Sequence, residues 1–143
     1  MIALALEFSS DRRSVAVGRG EEVLAEVSHS GTVRTPVFTM IAQALADAGV
    51  TREQIGRLVV GVGPGSYTGL RIAISAVQGW QLAHGAETVA VNSLKNLALE
   101  VGPRALLAVD AQRGEFATAW AEQGALLEPI RLRCAEEVRT ILA

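Results

Sequence analysis

Apolar and polar positions along the chain change period several times, and each change marks an element. Ile2 to Phe8 is a short apolar run of the length of a buried strand. Ser9-Ser10-Asp11-Arg12 supplies a turn, and Ser14-Val15-Ala16-Val17 alternates as a half-buried strand does. After Gly18-Arg19-Gly20, the run Val23-Leu24-Ala25-Glu26-Val27 predicts a third strand, so the chain opens as an antiparallel meander. The period then lengthens. Val37, Ile41, Ala44, Leu45 and Ala48 recur at helical spacing, with Thr35 as N-cap, Pro36 in the first helical position and Gly49 as C-cap. Phe38 and Met40 project off that stripe, as part of a wider core face or as a contact surface for another chain.

Leu58 to Val62 predicts the next strand, followed by a glycine-rich turn and a helix from Gly69 to His84. That helix is apolar on nearly every side, where a surface helix needs one stripe only. It is therefore expected to be covered on two sides, the second by a partner. Thr88 to Val91 reads as a fifth strand, and Asn92 or Ser93 caps a short helix through Leu94, Leu97, Ala98 and Leu99. Gly102-Pro103 breaks the pattern. Strands follow at Ala105 to Asp110, Glu115 to Trp120 and Leu126 to Leu132, then a helix over Ala135 to Leu142. Residues 1–102 thus form one α/β lobe, and residues 103–143 the strand-rich start of a second. Its open strand edges need cover from a partner or a second copy.

Half of the 143 residues are apolar, a fifth are charged and the net charge is −2. This composition fits a packed domain and argues against a chain that grips nucleic acid unaided. Arg131, Arg133 and Arg139 lie among Glu128, Glu136 and Glu137 and read as a solvated surface. Cys134 is the sole cysteine, which excludes an intrachain disulfide, fits a reducing compartment and reads as a plain packed thiol. The apolar start lacks a basic leader and is interrupted by Glu7, so neither a signal peptide nor a membrane span is expected, and the cytoplasm is.

The richest chemistry lies in Gly61-Val62-Gly63-Pro64-Gly65-Ser66-Tyr67-Thr68-Gly69-Leu70-Arg71. Thr68 is placed to cap the helix that follows, and free N–H groups at a helix start attract anions. Gly63, Gly65, Ser66, Thr68 and Gly69 are therefore candidate phosphate-binding residues. The same run serves equally as a tight turn that seats a partner. No lysine follows the glycines as in a Walker loop, and Ser66 stands where a dinucleotide fingerprint needs its third glycine. Thr68 likewise breaks the glycine pattern of a nucleophile elbow around Ser66. His29, near the entrance of the first helix, and His84, at the end of the second, are the only histidines and lack the spacing of a metal pair. No catalytic residue and no metal ligand is assigned.

Taken whole, Gly63 to Arg71 resembles the signature of the TsaB (YeaZ) proteins, relatives of the actin-like ATPases. Ser28-His29-Ser30, Val91 to Ala98 and Val109 to Glu115 are similar to further segments of that family, with Gln112 where arginine is usual. Glu7-Phe8-Ser9 stands where the family usually carries Asp-Thr-Ser. The resemblance implies a ribonuclease-H-like, actin-like ATPase (ASKHA) fold of class α/β: a mixed five-stranded sheet with helices and a truncated second lobe. It implies a non-catalytic scaffold in the formation of threonylcarbamoyladenosine in tRNA. Its partners would be a TsaD-like catalytic subunit and a TsaE-like ATPase, with a homodimer when alone and tRNA met only through the complex. The family pairs through its first two helices, which makes Phe38, Met40, Ile72, Ala76 and Trp80 the expected interface. Gly69 and Ala73 there are small enough for close approach. No cofactor is expected beyond weak ATP or ADP binding at a shared interface. The alternative is a small actin-like nucleotide-binding protein or ATPase, against which Glu7 weighs, being one methylene longer than the usual aspartate.

Overall fold

The computed structural model describes residues 1–31 and 36–143. In chain order the elements are β1 (Ile2–Glu7), β2 (Arg12–Arg19), β3 (Glu22–Ser30), α1 (Val37–Ala48), a 3-10 turn (Arg52–Gln54), β4 (Ile55–Gly61) and α2 (Tyr67–His84). There follow β5 (Glu87–Val91), α3 (Ser93–Leu99), β6 (Ala105–Asp110), β7 (Glu115–Glu122), β8 (Ala125–Leu126), β9 (Arg131–Cys134) and α4 (Ala135–Leu142).

The first sheet has five strands in the order β3-β2-β1-β4-β5. β1, β2 and β3 form the antiparallel meander, with Leu6 opposite Val15 and Val15 opposite Val27. β4 and β5 run parallel to β1, as crossover helices require. Alternation turns Leu4 and Leu6 of β1 and Val15 and Val17 of β2 to one face, where they join side chains of α1 and α2 in one buried cluster. On α1, Val37, Met40, Ile41, Ala44 and Leu45 are all buried. Met40 therefore does not project off the stripe: at three residues past Val37 and four before Ala44 it completes the stripe, and it is 3 % exposed. Phe38, one position round the helix, is 71 % exposed.

Gly49 ends α1 in the left-handed region at φ 64°, its N–H reaching Ala46 O, as a C-cap glycine does. Pro36 is the N-cap of α1 rather than its first residue, and Thr35, the expected cap, lies outside the described residues. Ser28-His29-Ser30 belongs to the end of β3, with His29 opposite Arg13, so His29 is a strand residue.

In the second sheet β7 is central, pairing β6 on one side and both β8 and β9 on the other. The single strand expected over Leu126 to Leu132 is divided into these two short ones. Leu94 and Ala98 of α3 pack with Leu107, Ala119 and Ala121 of this sheet, so the helix counted with the first lobe in the sequence rests on the second sheet. Cys134 is exposed instead of packed. It sits at the N-cap of α4, where its backbone N–H donates to Glu137 Oε2 at 2.7 Å. Among the described residues no helix is long and apolar enough to cross a membrane.

Candidate functional site

The glycine turn connects β4 to α2 and packs against the end of β1. Ser66, not Thr68, is the N-cap of α2: its Oγ accepts from Gly69 N at 3.2 Å. The helix consequently begins at Tyr67, two residues earlier than the apolar pattern suggests, and Thr68 is exposed within its first turn. A serine can reach the N–H three residues ahead from an extended backbone, and Thr68 is already helical.

The glycines of this turn are explained by contact with the chain itself. A Cβ on Gly65 would collide with Ser9, whose carbonyl accepts from Ser66 N at 2.7 Å. A Cβ on Gly69 would collide with the carbonyl of Phe8. Gly63 N donates to Ser93 Oγ at 3.1 Å, and Gly63 O accepts from Ser93 N at 2.9 Å. The N–H groups of Gly63, Ser66 and Gly69, three of those a bound phosphate would take, are thus committed to Ser93, Ser9 and Ser66 of the chain itself. The run locks β1, α2 and α3 together.

A second feature lies on the outer side of α1 and α2. Val37, Phe38, Thr68, Arg71, Ile72, Ser75 and Ala76 line a cleft of about 450 Å³. It continues toward the end of α2 as a smaller cleft of about 210 Å³, sharing Phe38, Ser75 and Ala76 and adding Ile41, Arg52, Gly79, Trp80, Ala83 and His84. Small side chains on α2 leave the floor open, and the exposed Phe38 ring stands beside it. Arg71 stacks on the Tyr67 ring, its guanidinium carbon 5.4 Å from the ring centre. His84 packs on Trp80 with ring centres 5.3 Å apart. Beyond the far end, Glu53 is held below its usual 4.5 first by a backbone N–H, next by Thr51, and more weakly by His84 and Arg52.

The structure brings Phe38, Ile72, Ala76 and Trp80 to this groove. Gly69 and Ala73 are small because α2 lies close on its own sheet. Gly69 is buried against Phe8, and Ala73 is 0 % exposed within the core cluster. Ser75, Arg71, Arg52 and His84 were not among the expected interface residues. Helical spacing could have found Arg71 and Ser75: Thr68, Arg71, Ile72, Ser75, Ala76, Gly79 and Ala83 fall on one face.

The family model for TsaD, tRNA N6-adenosine threonylcarbamoyltransferase, matches residues 28–136. Within that family, Escherichia coli TsaB, described as a tRNA threonylcarbamoyladenosine biosynthesis protein, is 31 % identical over 128 residues, 85 % of this chain and 54 % of the relative. The chain belongs to the TsaB (YeaZ) family. In three dimensions this family member superposes on YeaZ from Pseudomonas aeruginosa with a TM-score of 0.80 at 28 % identity, covering 94 % of this chain and 68 % of that one. The activator of 2-hydroxyisocaproyl-CoA dehydratase from Clostridium difficile shares the fold alone, with a TM-score of 0.56 at 17 % identity over 94 % of this chain and 46 % of its own. The chain spans about half the length of the curated TsaB relatives it matches. The actin-like ATPase fold implied by the glycine signature is the fold observed.

Proposed function

We propose that this chain is a non-catalytic subunit in threonylcarbamoyladenosine formation on tRNA, binding and activating a TsaD-like threonylcarbamoyltransferase. The observation that carries this reading is the groove along α1 and α2, with Phe38 71 % exposed beside it. An exposed aromatic beside an open apolar floor is the form of an anchor for a partner's helices. The likeness to E. coli TsaB, described as a tRNA threonylcarbamoyladenosine biosynthesis protein, and to P. aeruginosa YeaZ supports this reading. The two histidines lie on separate elements, β3 and α2, and give no metal pair on one helix. The reading assigns activity to the partner, with a TsaE-like ATPase joining the pair and tRNA approaching through the complex. In isolation the same groove closes against a second copy.

The test is the solution mass of the purified chain by light scattering, alone and mixed with the TsaD-like subunit of the same source. A one-to-one complex that forms threonylcarbamoyladenosine faster than the TsaD-like subunit alone is expected. Two separate species, with ATP retained by this chain on its own, would overturn the reading in favour of a small nucleotide-binding protein.

A further inference from the structure

Arg13 is a cation buried near the end of the first sheet. It is 8 % exposed, and its Nε is shut off from solvent and makes no hydrogen bond. The ion pairs among the described residues lie elsewhere, between Arg57 and Glu87 and between Arg133 and Glu128. Alternation along β2 sets Arg13 on the face of Val15 and Val17, which join α1 in the core cluster. His29 stands directly across the ladder from it, two residues beyond Val27, which is opposite Val15. Both basic side chains therefore belong to the α1 face of the sheet.

The start of α1 lies toward the same end. Its last turn leads through the 3-10 turn into Ile55, which pairs with Ile2, itself opposite Arg19. The helix thus ends near Arg19, and its twelve residues, about 18 Å long, carry its start back toward Arg13. Met40 N donates to Pro36 O at 2.9 Å, and the N–H groups of Val37, Phe38 and Thr39 before it have no partner within the helix. No side chain caps them, and the first turn holds no acid. A helix start carries partial positive charge, so a buried guanidinium beside it is destabilising unless an anion lies between them. The neighbouring chain supplies none, because no Asp or Glu occurs from Val27 to Ala46. The acids nearest in the fold are turned elsewhere. Glu7 and Glu26 line a cleft on the other face of the sheet, and Asp11 lines the next cleft, toward β6. Asp47, at the far end of α1, accepts from Gln43.

We propose that Arg13, His29 and the first turn of α1 bind a small tetrahedral oxyanion of the phosphate class. The guanidinium offers a fork of N–H donors from the sheet, and the imidazole offers at least one N–H in either protonation state. The helix start adds its first N–H groups from the layer above. Donors on two sides suit an anion with four acceptor oxygens better than a flat carboxylate. The burial of Arg13 admits a free ion and keeps out the backbone of a nucleic acid, whose phosphates are met by cations at the surface. The site is separate from the glycine turn at the start of α2, and it does not depend on the α1/α2 groove being a partner's face.

The experiment is calorimetric titration of the full chain with inorganic phosphate, with thermal melts over the same concentrations and ionic strength held constant with NaCl. The variants are Arg13→Met, which keeps an apolar stem and removes the charge, and His29→Leu. Wild type should bind a single phosphate per chain. Its melting temperature should rise by about 4 °C when phosphate stands tenfold above its dissociation constant. Arg13→Met should bind at least tenfold more weakly. Without phosphate it should melt no lower than wild type, because the substitution removes an unpaired buried charge. His29→Leu should weaken binding several-fold, and it decides the matter if Arg13→Met does not fold: unchanged affinity there overturns the site. If phosphate leaves wild type unmoved and Arg13→Met melts lower, Arg13 is a structural cation and the proposal falls. An equal rise in wild type and both variants would be the general effect of an excluded salt and would overturn it too. Binding of tRNA that phosphate displaces and Arg13→Met loses would replace the free ion with a nucleic-acid phosphate.

Discussion

Glu7 and Gly61 share one volume at the end of the first sheet: a Cβ on Gly61 would stand 2.6 Å from the Glu7 carboxylate carbon. The carboxylate lies over the glycine because it has work on its other side. Its Oε1 accepts from Ser9 N at 2.9 Å and from Ser93 Oγ at 3.2 Å. Ser93 Oγ in turn accepts from Gly63 N. One side chain thus ties the end of β1 to the glycine turn and to the start of α3, and through α3 to the second sheet. The acid at position 7 therefore has a structural role, and Gly61 is the position that makes room for it.

Gly61→Ala should displace Glu7 and break these bonds, lowering stability by about 2 kcal/mol, the scale of an overpacked site that also loses a buried hydrogen bond. Shortening the acid relieves the clash, so Glu7→Asp in the Gly61→Ala background should recover part of the loss. Urea denaturation of the four proteins measures this as a coupling above about 0.5 kcal/mol. Strict additivity would show that the two residues do not compete for one space.

Ser66 caps α2, and Thr68 does not. Replacing Ser66 with alanine should cost about 1 kcal/mol and Ser66→Asp should restore most of it, since either side-chain oxygen can accept from Gly69 N. Thr68→Ala, at an exposed position in the helix, should stay within about 0.5 kcal/mol of wild type. The midpoints of urea unfolding decide. A larger loss at Thr68 than at Ser66 would restore the threonine as the cap.

Glu137 is held below its usual 4.5 by the backbone N–H of Cys134 first, then by the Cys134 thiol and more weakly by Arg133. A carboxyl whose folded pKa is depressed contributes stability that is present above its unfolded pKa and lost as pH falls through the folded one. The start of α4 should therefore stay ordered at pH 5 and above, and fray as pH falls below 4.5. Protection of the Cys134 amide should fall across that window in wild type and be absent at every pH in Glu137→Ala, which has no side-chain oxygen to accept it. Equal protection in the two proteins at pH 6 would remove Glu137 from the cap.

Much of the first sheet was legible because its strands alternate cleanly and its helices carry end signals. Val15 and Val17 alternate inward, and Gly49 ends α1 where its freedom at positive φ predicts. The errors fall where one-dimensional patterns are silent. Met40 and Phe38 are both large and apolar, and the core lies on one side of the helix only, which sends Met40 inward and Phe38 outward. A glycine-rich run has one appearance whether it approaches a phosphate or its own backbone. The carbonyls of Phe8 and Ser9, which Gly69 and Gly65 meet, lie nearly sixty residues away in the chain. The lining of the groove was equally invisible, because Arg52 reaches it only where the 3-10 turn packs beside the end of α2.

Phe38 and Met40 also offer a test that separates folding from the proposed partner binding on a single helix. Met40→Ala empties a core site and should lower stability by about 2–4 kcal/mol, with any loss of binding following the fraction of unfolded chain. Phe38→Ala removes a ring that is 71 % exposed, so the melting temperature should stay within a few degrees of wild type. A buried aromatic anchor is worth about 2 kcal/mol or more at an interface, so affinity for the TsaD-like subunit should fall at least tenfold. Thermal melts and calorimetric titration of the two variants give both numbers. A Phe38→Ala protein that binds as tightly as wild type would move the interface off the α1/α2 groove.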